Sequence, residues 1–241
     1  GDLAEALSAA GCEVVSVGAI GTAEDAVAAG RRLAEAHVDA VALAPGSWFE
    51  DFLVLDLLEE SLVPVLLWPL PGMETGALCG AQQVTSYLHQ LEASYASVFG
   101  RIEPGENLER AMMFLRAAAL RGRLRRARIG QAGHRVTGMT EAAANEIGLK
   151  KVLGPRVVPL NLSALLARAE AVSEEESAVA WQAMTDRCAS VQVSNDAGLD
   201  SMRIYLALAE VVKEQGLDAL TVGCYPDLMG RVCLAASLLA D

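Results

Sequence analysis

The chain of 241 residues is 53% hydrophobic, 21% charged and 5% aromatic, a globular balance that excludes a disordered chain and allows two modest domains at about 150 residues per domain. Its formal charge of −12 is uneven, with 2 Arg against 14 Asp and Glu over residues 1–100 and 17 basic against 17 acidic residues from 101 onward. So acidic a first part repels phosphate backbones and anionic lipid heads, and no apolar run approaches the roughly 20 residues that span a bilayer; both argue against nucleic acid and membrane as partners.

In chain order, short β-branched runs alternate with helical stretches, the pattern of an α/β fold with a parallel sheet. Residues 12–17 read as a strand. Thr22 caps a predicted helix to about His37, with Glu24 and Asp25 in the first turn where the helix dipole favours acid. Residues 38–44 form the next predicted strand and Pro45-Gly46-Ser47 its turn. Phe49, Phe52, Leu53 and Leu57 then recur at helical spacing over 48–60. Residues 63–68 read as a strand, 69–72 as a turn, 75–92 as a helix and 95–99 as a fourth strand. A connecting helix is predicted over 104–120, followed by a basic run at Arg121, Arg123, Arg125, Arg126 and Arg128 that lacks interleaved aromatics and reads as a solvated or domain-bridging face. The resulting division is a first α/β domain over 1–103, a connecting helix and basic linker over 104–125, and a second α/β domain over 126–241.

The second domain repeats the alternation. Strands are expected at 127–130, 156–160 and 217–223, the last strongly buried apart from Asp218. Helices are expected at 140–147, at 163–172 with Ser163 as cap, at 174–190 with Ser173 as cap, at 199–215 ending on Gly216, and from 232 to 239. Gly130-Gln131-Ala132-Gly133 reads as a turn after the first of these strands. It lacks the spacing of a dinucleotide-binding or P-loop motif, although His134 and Arg135 in it can meet an anionic or hydroxylated ligand. Cys224-Tyr225-Pro226-Asp227 falls just past the carboxyl end of the last strand, where open parallel sheets bind ligands. A carboxylate there suits holding a divalent cation or abstracting a proton, or it caps a helix.

Other chemistry is poorly supported. His37, His89 and His134 do not pair at metal-ligand spacing, no G-x-S-x-G elbow is present, and no cysteine lies beside a base. Cys12, Cys79, Cys188, Cys224 and Cys233, odd in number and without C-x-x-C, read as buried small hydrophobes of a reducing compartment. No basic and apolar leader opens the chain, so secretion is not indicated.

Three stretches resemble the L-fucose/L-arabinose isomerase superfamily, in order over most of the chain. They are Met73-Glu74-Thr75-Gly76-Ala77-Leu78-Cys79-Gly80; Val157-Val158-Pro159-Leu160-Asn161-Leu162-Ser163 with Arg168-Ala169-Glu170-Ala171-Val172-Ser173; and Gly216-Leu217-Asp218-Ala219-Leu220 with Tyr225-Pro226-Asp227-Leu228 and Ser237-Leu238-Leu239. The resemblance implies two Rossmann-like three-layer units with parallel sheets, and a family C-terminal β-rich domain not present in these residues. It also implies aldose–ketose isomerisation through an enediol, in a cytoplasmic homo-oligomer that takes a small-molecule sugar. The expected cofactor is Mn²⁺ or another divalent cation, bound only by the complete protein. Asp227 matches an acid that serves as metal ligand and catalytic group, where relatives often carry Glu. Trp48, Thr75, Arg135 and Tyr225 are the expected substrate-binding residues, Trp48 resembling an aromatic lent to a neighbouring subunit's site. The second acid of the pair is expected beyond Asp241. A non-catalytic two-domain binder of a sugar or similar polar ligand, or an acidic assembly module, are the alternatives.

Overall fold

The computed structural model describes residues 2–136 and 138–240, with Asp2 and Met73 as backbone. It divides into two compact units, Gly1–Gly122 and Arg123–Asp241, and the division falls inside one long helix. Each unit is an α/β layer structure around a three-stranded parallel sheet, as the alternating pattern predicts.

In the first unit the elements are α1 (Asp2–Ala9), α2 (Ala23–Glu35), β1 (Val41–Leu43), α3 (Phe52–Glu60), β2 (Val65–Leu67), α4 (Ala77–Gln90), β3 (Tyr95–Ser97) and α5 (Glu106–Arg126). The sheet order is β1-β2-β3, with Val65 in register with both Val41 and Tyr95. Because side chains alternate along a strand, the sheet feeds two cores. Val41, Val65 and Leu67 join Leu33, Leu57, Val84 and Leu88 of α2, α3 and α4. Leu66 and Trp68 join Leu3 and Leu7 of α1 with Ala111 and Met112 of α5. Trp68 is fully buried and its indole N–H donates to the Gly100 carbonyl at 3.1 Å, so no polar group is stranded. Burying each such Leu or Val contributes about 1.5–3 kcal/mol before chain entropy is subtracted. A Cβ on Gly30 would lie 2.5 Å from the Leu57 carbonyl oxygen, so the contact between α2 and α3 needs a glycine there.

The second unit contains β4 (Arg128–Ala132), α6 (Glu146–Val152), β5 (Arg156–Leu160), α7 (Leu162–Ala171), α8 (Glu174–Thr185), α9 (Asn195–Gln215), β6 (Ala219–Val222) and α10 (Cys233–Leu239). The strand order is β5-β4-β6, with Ala132 in register with both Leu160 and Val222. These three residues face a core of Leu165, Ala169, Ile204, Leu208, Leu228 and Ala235 from the helices and the loop after β6. Asp218 sits at the base of β6, where its Oδ2 accepts the Arg128 N–H and its own N–H donates to the Arg128 carbonyl, both at 2.9 Å.

Several sequence expectations are corrected. Residues 12–17 form no strand: Val15 and Val17 pack against the core, but the segment joins no ladder. The helix expected over 48–60 begins at Phe52, leaving Trp48 in the preceding loop, and the one expected from 75 begins at Ala77 after a 3₁₀ turn at Met73–Thr75. The connecting helix runs on to Arg126, and Arg123, Arg125 and Arg126 occupy its last turn, where the dipole favours cations. Residues 140–147 are not one helix; a 3₁₀ turn at Thr140–Ala142 is followed by α6, capped by Asn145. Asn161, not Ser163, caps α7, its side-chain oxygen accepting the Ala164 N–H at 3.0 Å. Gly130, Gln131 and Ala132 lie within β4 and the turn starts at Gly133. The strand β6 is half-exposed, because only β4 flanks it and its residues alternate between the core and solvent. Cys79, Cys188, Cys224 and Cys233 are exposed, and Cys12 is half-buried, its thiol pushed up by burial. Among the described residues no helix is long and apolar enough to cross a membrane.

Candidate active site

Parallel strands bring their carboxyl ends to one edge, and in the second unit that edge gathers Gly133, His134 and Arg135 after β4, Asn161 after β5 and residues 223–227 after β6. The β6 loop leaves the sheet with the Gly223 N–H donating to the Ala132 carbonyl at 2.8 Å. A Cβ on Gly223 would come 3.1 Å from the His134 carbonyl oxygen, so this glycine lets the loops after β4 and β6 abut. The next peptide of note, Tyr225-Pro226, is cis. Tyr225 is 54% exposed, and His134, Arg135 and Asp227 are exposed.

Asp227 owes its place to its neighbours. Leu228 is fully buried in the core and its N–H donates to the Cys224 carbonyl at 2.8 Å, which closes the loop beneath Asp227. Arg231 then forks onto Asp200 of α9, Nε to Oδ2 at 2.7 Å and Nη2 to Oδ1 at 2.8 Å. That guanidinium holds the Asp200 carboxyl below the usual carboxylate range. Asp227 and Arg135 make no hydrogen bond or ion pair among the described residues, and both are exposed. An unengaged carboxylate can take a proton or bind a cation, and an unengaged guanidinium can bind an oxygen-rich ligand. The side chains of Tyr225, Arg135 and Asp227 share the edge without contacting one another by hydrogen bond. The Asn161 side-chain oxygen is committed to its cap.

The first unit brings Trp48 and Thr75 together at the carboxyl edge of its own sheet. The Trp48 N–H donates to the Thr75 carbonyl at 2.6 Å, joining the loops after β1 and β2. Gly76, at φ +69, allows this approach, since a Cβ there would lie 3.1 Å from that of Trp48. The Thr75 hydroxyl donates to the Gly72 carbonyl at 2.8 Å, and Trp48 is 54% exposed. Below them the Tyr87 hydroxyl donates to the Asp51 carbonyl at 2.6 Å, and burial together with the Asp51 charge pushes its pKa up.

Asp200 and Arg231 escape a reading of the sequence, because 31 residues separate them and no local spacing signals their pairing. For a cation the described residues are insufficient. No group of three His, Cys, Asp or Glu side chains among them is arranged to hold a metal, and one carboxylate does not complete a divalent-cation site.

No protein-family model matches the chain. It is 28% identical over 194 residues to a sulfoquinovose isomerase of Clostridium sp. (strain MSTE9), a match covering 74% of this chain and 43% of the relative. The chain thus spans less than half the length of the curated relative it matches. By name that relative is a sugar isomerase, the class of activity that the sequence resemblance implies.

Proposed function

We propose that these residues belong to an aldose–ketose sugar isomerase of the fucose/arabinose isomerase type and carry one side of its active centre. The similarity to sulfoquinovose isomerase carries this reading. The geometry supports it with a carboxylate, Asp227, left unengaged at the carboxyl edge of a parallel sheet beside a cationic loop and an exposed tyrosine. Isomerisation moves a proton between adjacent sugar carbons through an enediol, and Asp227 is placed to exchange such a proton or to hold a sugar hydroxyl. Arg135 and Tyr225 offer a hydrogen-bonding cation and a ring face to a sugar, and Trp48 with Thr75 offers a second aromatic platform in the first unit. The substrate class is a monosaccharide, with a sulfonated hexose such as sulfoquinovose the first to try.

A divalent cation such as Mn²⁺ belongs to the proposal for the whole protein. Asp227 contributes one oxygen ligand, and the others are sought among residues corresponding to the part of the relative that this chain does not cover. The same proposal makes the protein a cytoplasmic homo-oligomer.

The test is NMR observation of sulfoquinovose and of neutral aldoses incubated with the full-length protein, with added Mn²⁺ and after chelation. Aldose–ketose interconversion is expected, slowed on the order of 10²-fold or more in Asp227→Asn. Calorimetric binding of the sugars with no interconversion under either condition would replace this reading with that of a non-catalytic sugar binder.

A further inference from the structure

We propose that Asp200 and Arg231 are positioning residues that fix the loop carrying Asp227 against helix α9; the catalytic consequence rests on the isomerase reading, and the structural one does not. The loop from 223 to 232 is secured on its inner side by Leu228 and Val232, both buried in the core of the second unit. Its outer side, residues 224–227, is exposed and lies outside any helix or strand. The one charged tether between this loop and a helix among the described residues is the Arg231–Asp200 fork, two parallel N–H···O bonds of 2.7 and 2.8 Å. A guanidinium forked on a carboxylate fixes orientation as well as distance, which a single hydrogen bond does not.

The anchor of the fork is rigid. Asp200 stands on a 21-residue helix whose adjacent Met202 and Ile204 are 1% and 0% exposed. Charges alternate around it: Arg203 of α9 attracts Asp200, and Glu170 of α7 attracts Arg231. The paired side chains are 38% and 40% exposed, and ion pairs so open to water contribute little to global stability. The bidentate geometry therefore matters for where the loop sits, four residues beyond Asp227, more than for whether the unit folds.

Asp200→Asn and Arg231→Lys are compared with the wild type in the full-length protein by hydrogen–deuterium exchange and by isomerisation kinetics. Both single variants are expected to raise exchange across 224–232 with β4 and β5 unchanged. They are also expected to lower kcat by on the order of tenfold to 100-fold, with KM within about twofold. Wild-type exchange and wild-type kcat in Asp200→Asn and Arg231→Lys would overturn the proposal. Should Asp200→Asn fail to fold, Arg231→Lys, which keeps the charge and loses the fork, decides alone. A wild-type protein that isomerises no sugar defeats the isomerase reading, and exchange over 224–232 then judges the tether by itself.

Discussion

Gly198 and Gly223 show how much single residues settle here. Gly198 lies in the first turn of α9 directly beneath the Trp181 indole, so a Cβ there would overlap the ring. On an exposed helix Gly→Ala gains about 1 kcal/mol from helix propensity. Here the overpacking cost of about 1–3 kcal/mol outweighs that gain. Gly198→Ala is therefore expected to lower the thermal midpoint and to increase exchange in both α8 and α9, where propensity alone would raise the midpoint. Gly223 is constrained differently, by the His134 carbonyl oxygen 3.1 Å from its added Cβ. At this scale the sequence shows Asp227 as a carboxylate past a strand. It does not show that Leu228 pins it from below or that Arg231 ties it sideways, because those contacts are made to residues distant in the chain.

Among elements, helix starts were legible where a capping box sets a cap and its partner three residues apart, as at Thr22 and Ser173, whereas the starts expected at 48, 75, 140 and 199 lie elsewhere. Ser173 and Glu176 form a full capping box: the Ser173 hydroxyl oxygen accepts the Glu176 N–H, and the Glu176 carboxylate accepts the Ser173 N–H and O–H. Those bonds hold the Glu176 carboxyl below its ordinary range. A depressed carboxyl contributes its stabilisation above its unfolded pKa and loses it as pH falls through the folded one. The protection factor of the Glu176 amide, its exchange rate corrected for the intrinsic pH dependence, is thus expected to fall on acidification below the usual carboxylate range. In Ser173→Ala it is expected to be low already at neutral pH, with a weaker response to acid. Strands were legible at the sheet edges as well as the centres: β1, β3, β5 and β6 each lie within a stretch read as a strand, as β2 does at Val65–Leu67. The alternating residues 12–17 carry the same signal and form no strand, because a strand is defined by a partner that periodicity cannot supply.

At the scale of the whole molecule, each core cluster is built from residues of one unit. The two clusters of the first unit use nothing beyond Leu115, and α5 completes one of them with Ala111 and Met112. A fragment of residues 1–126, which keeps α5 whole, is expected to unfold cooperatively by circular dichroism. Truncation at 103, where the sequence places the first domain's end, removes α5 and is expected to leave a molten or aggregating product. The acidic excess of residues 1–100 goes with this fragment, which should stay unbound on an anion-bearing matrix at low salt.

The sequence by itself determined the α/β class, two parallel sheets, the caps at Thr22, Ser173 and Gly216 and the address of Asp227 past the last strand. All of these follow from local periodicity and from residue types that fix a turn or a cap. Tertiary structure alone decided the β5-β4-β6 order, the partial exposure of β6, the joining of Trp48 to Thr75 and the Arg231–Asp200 fork. Each of those depends on which distant segments meet, and that is set by packing across the sheet faces, which no local spacing encodes.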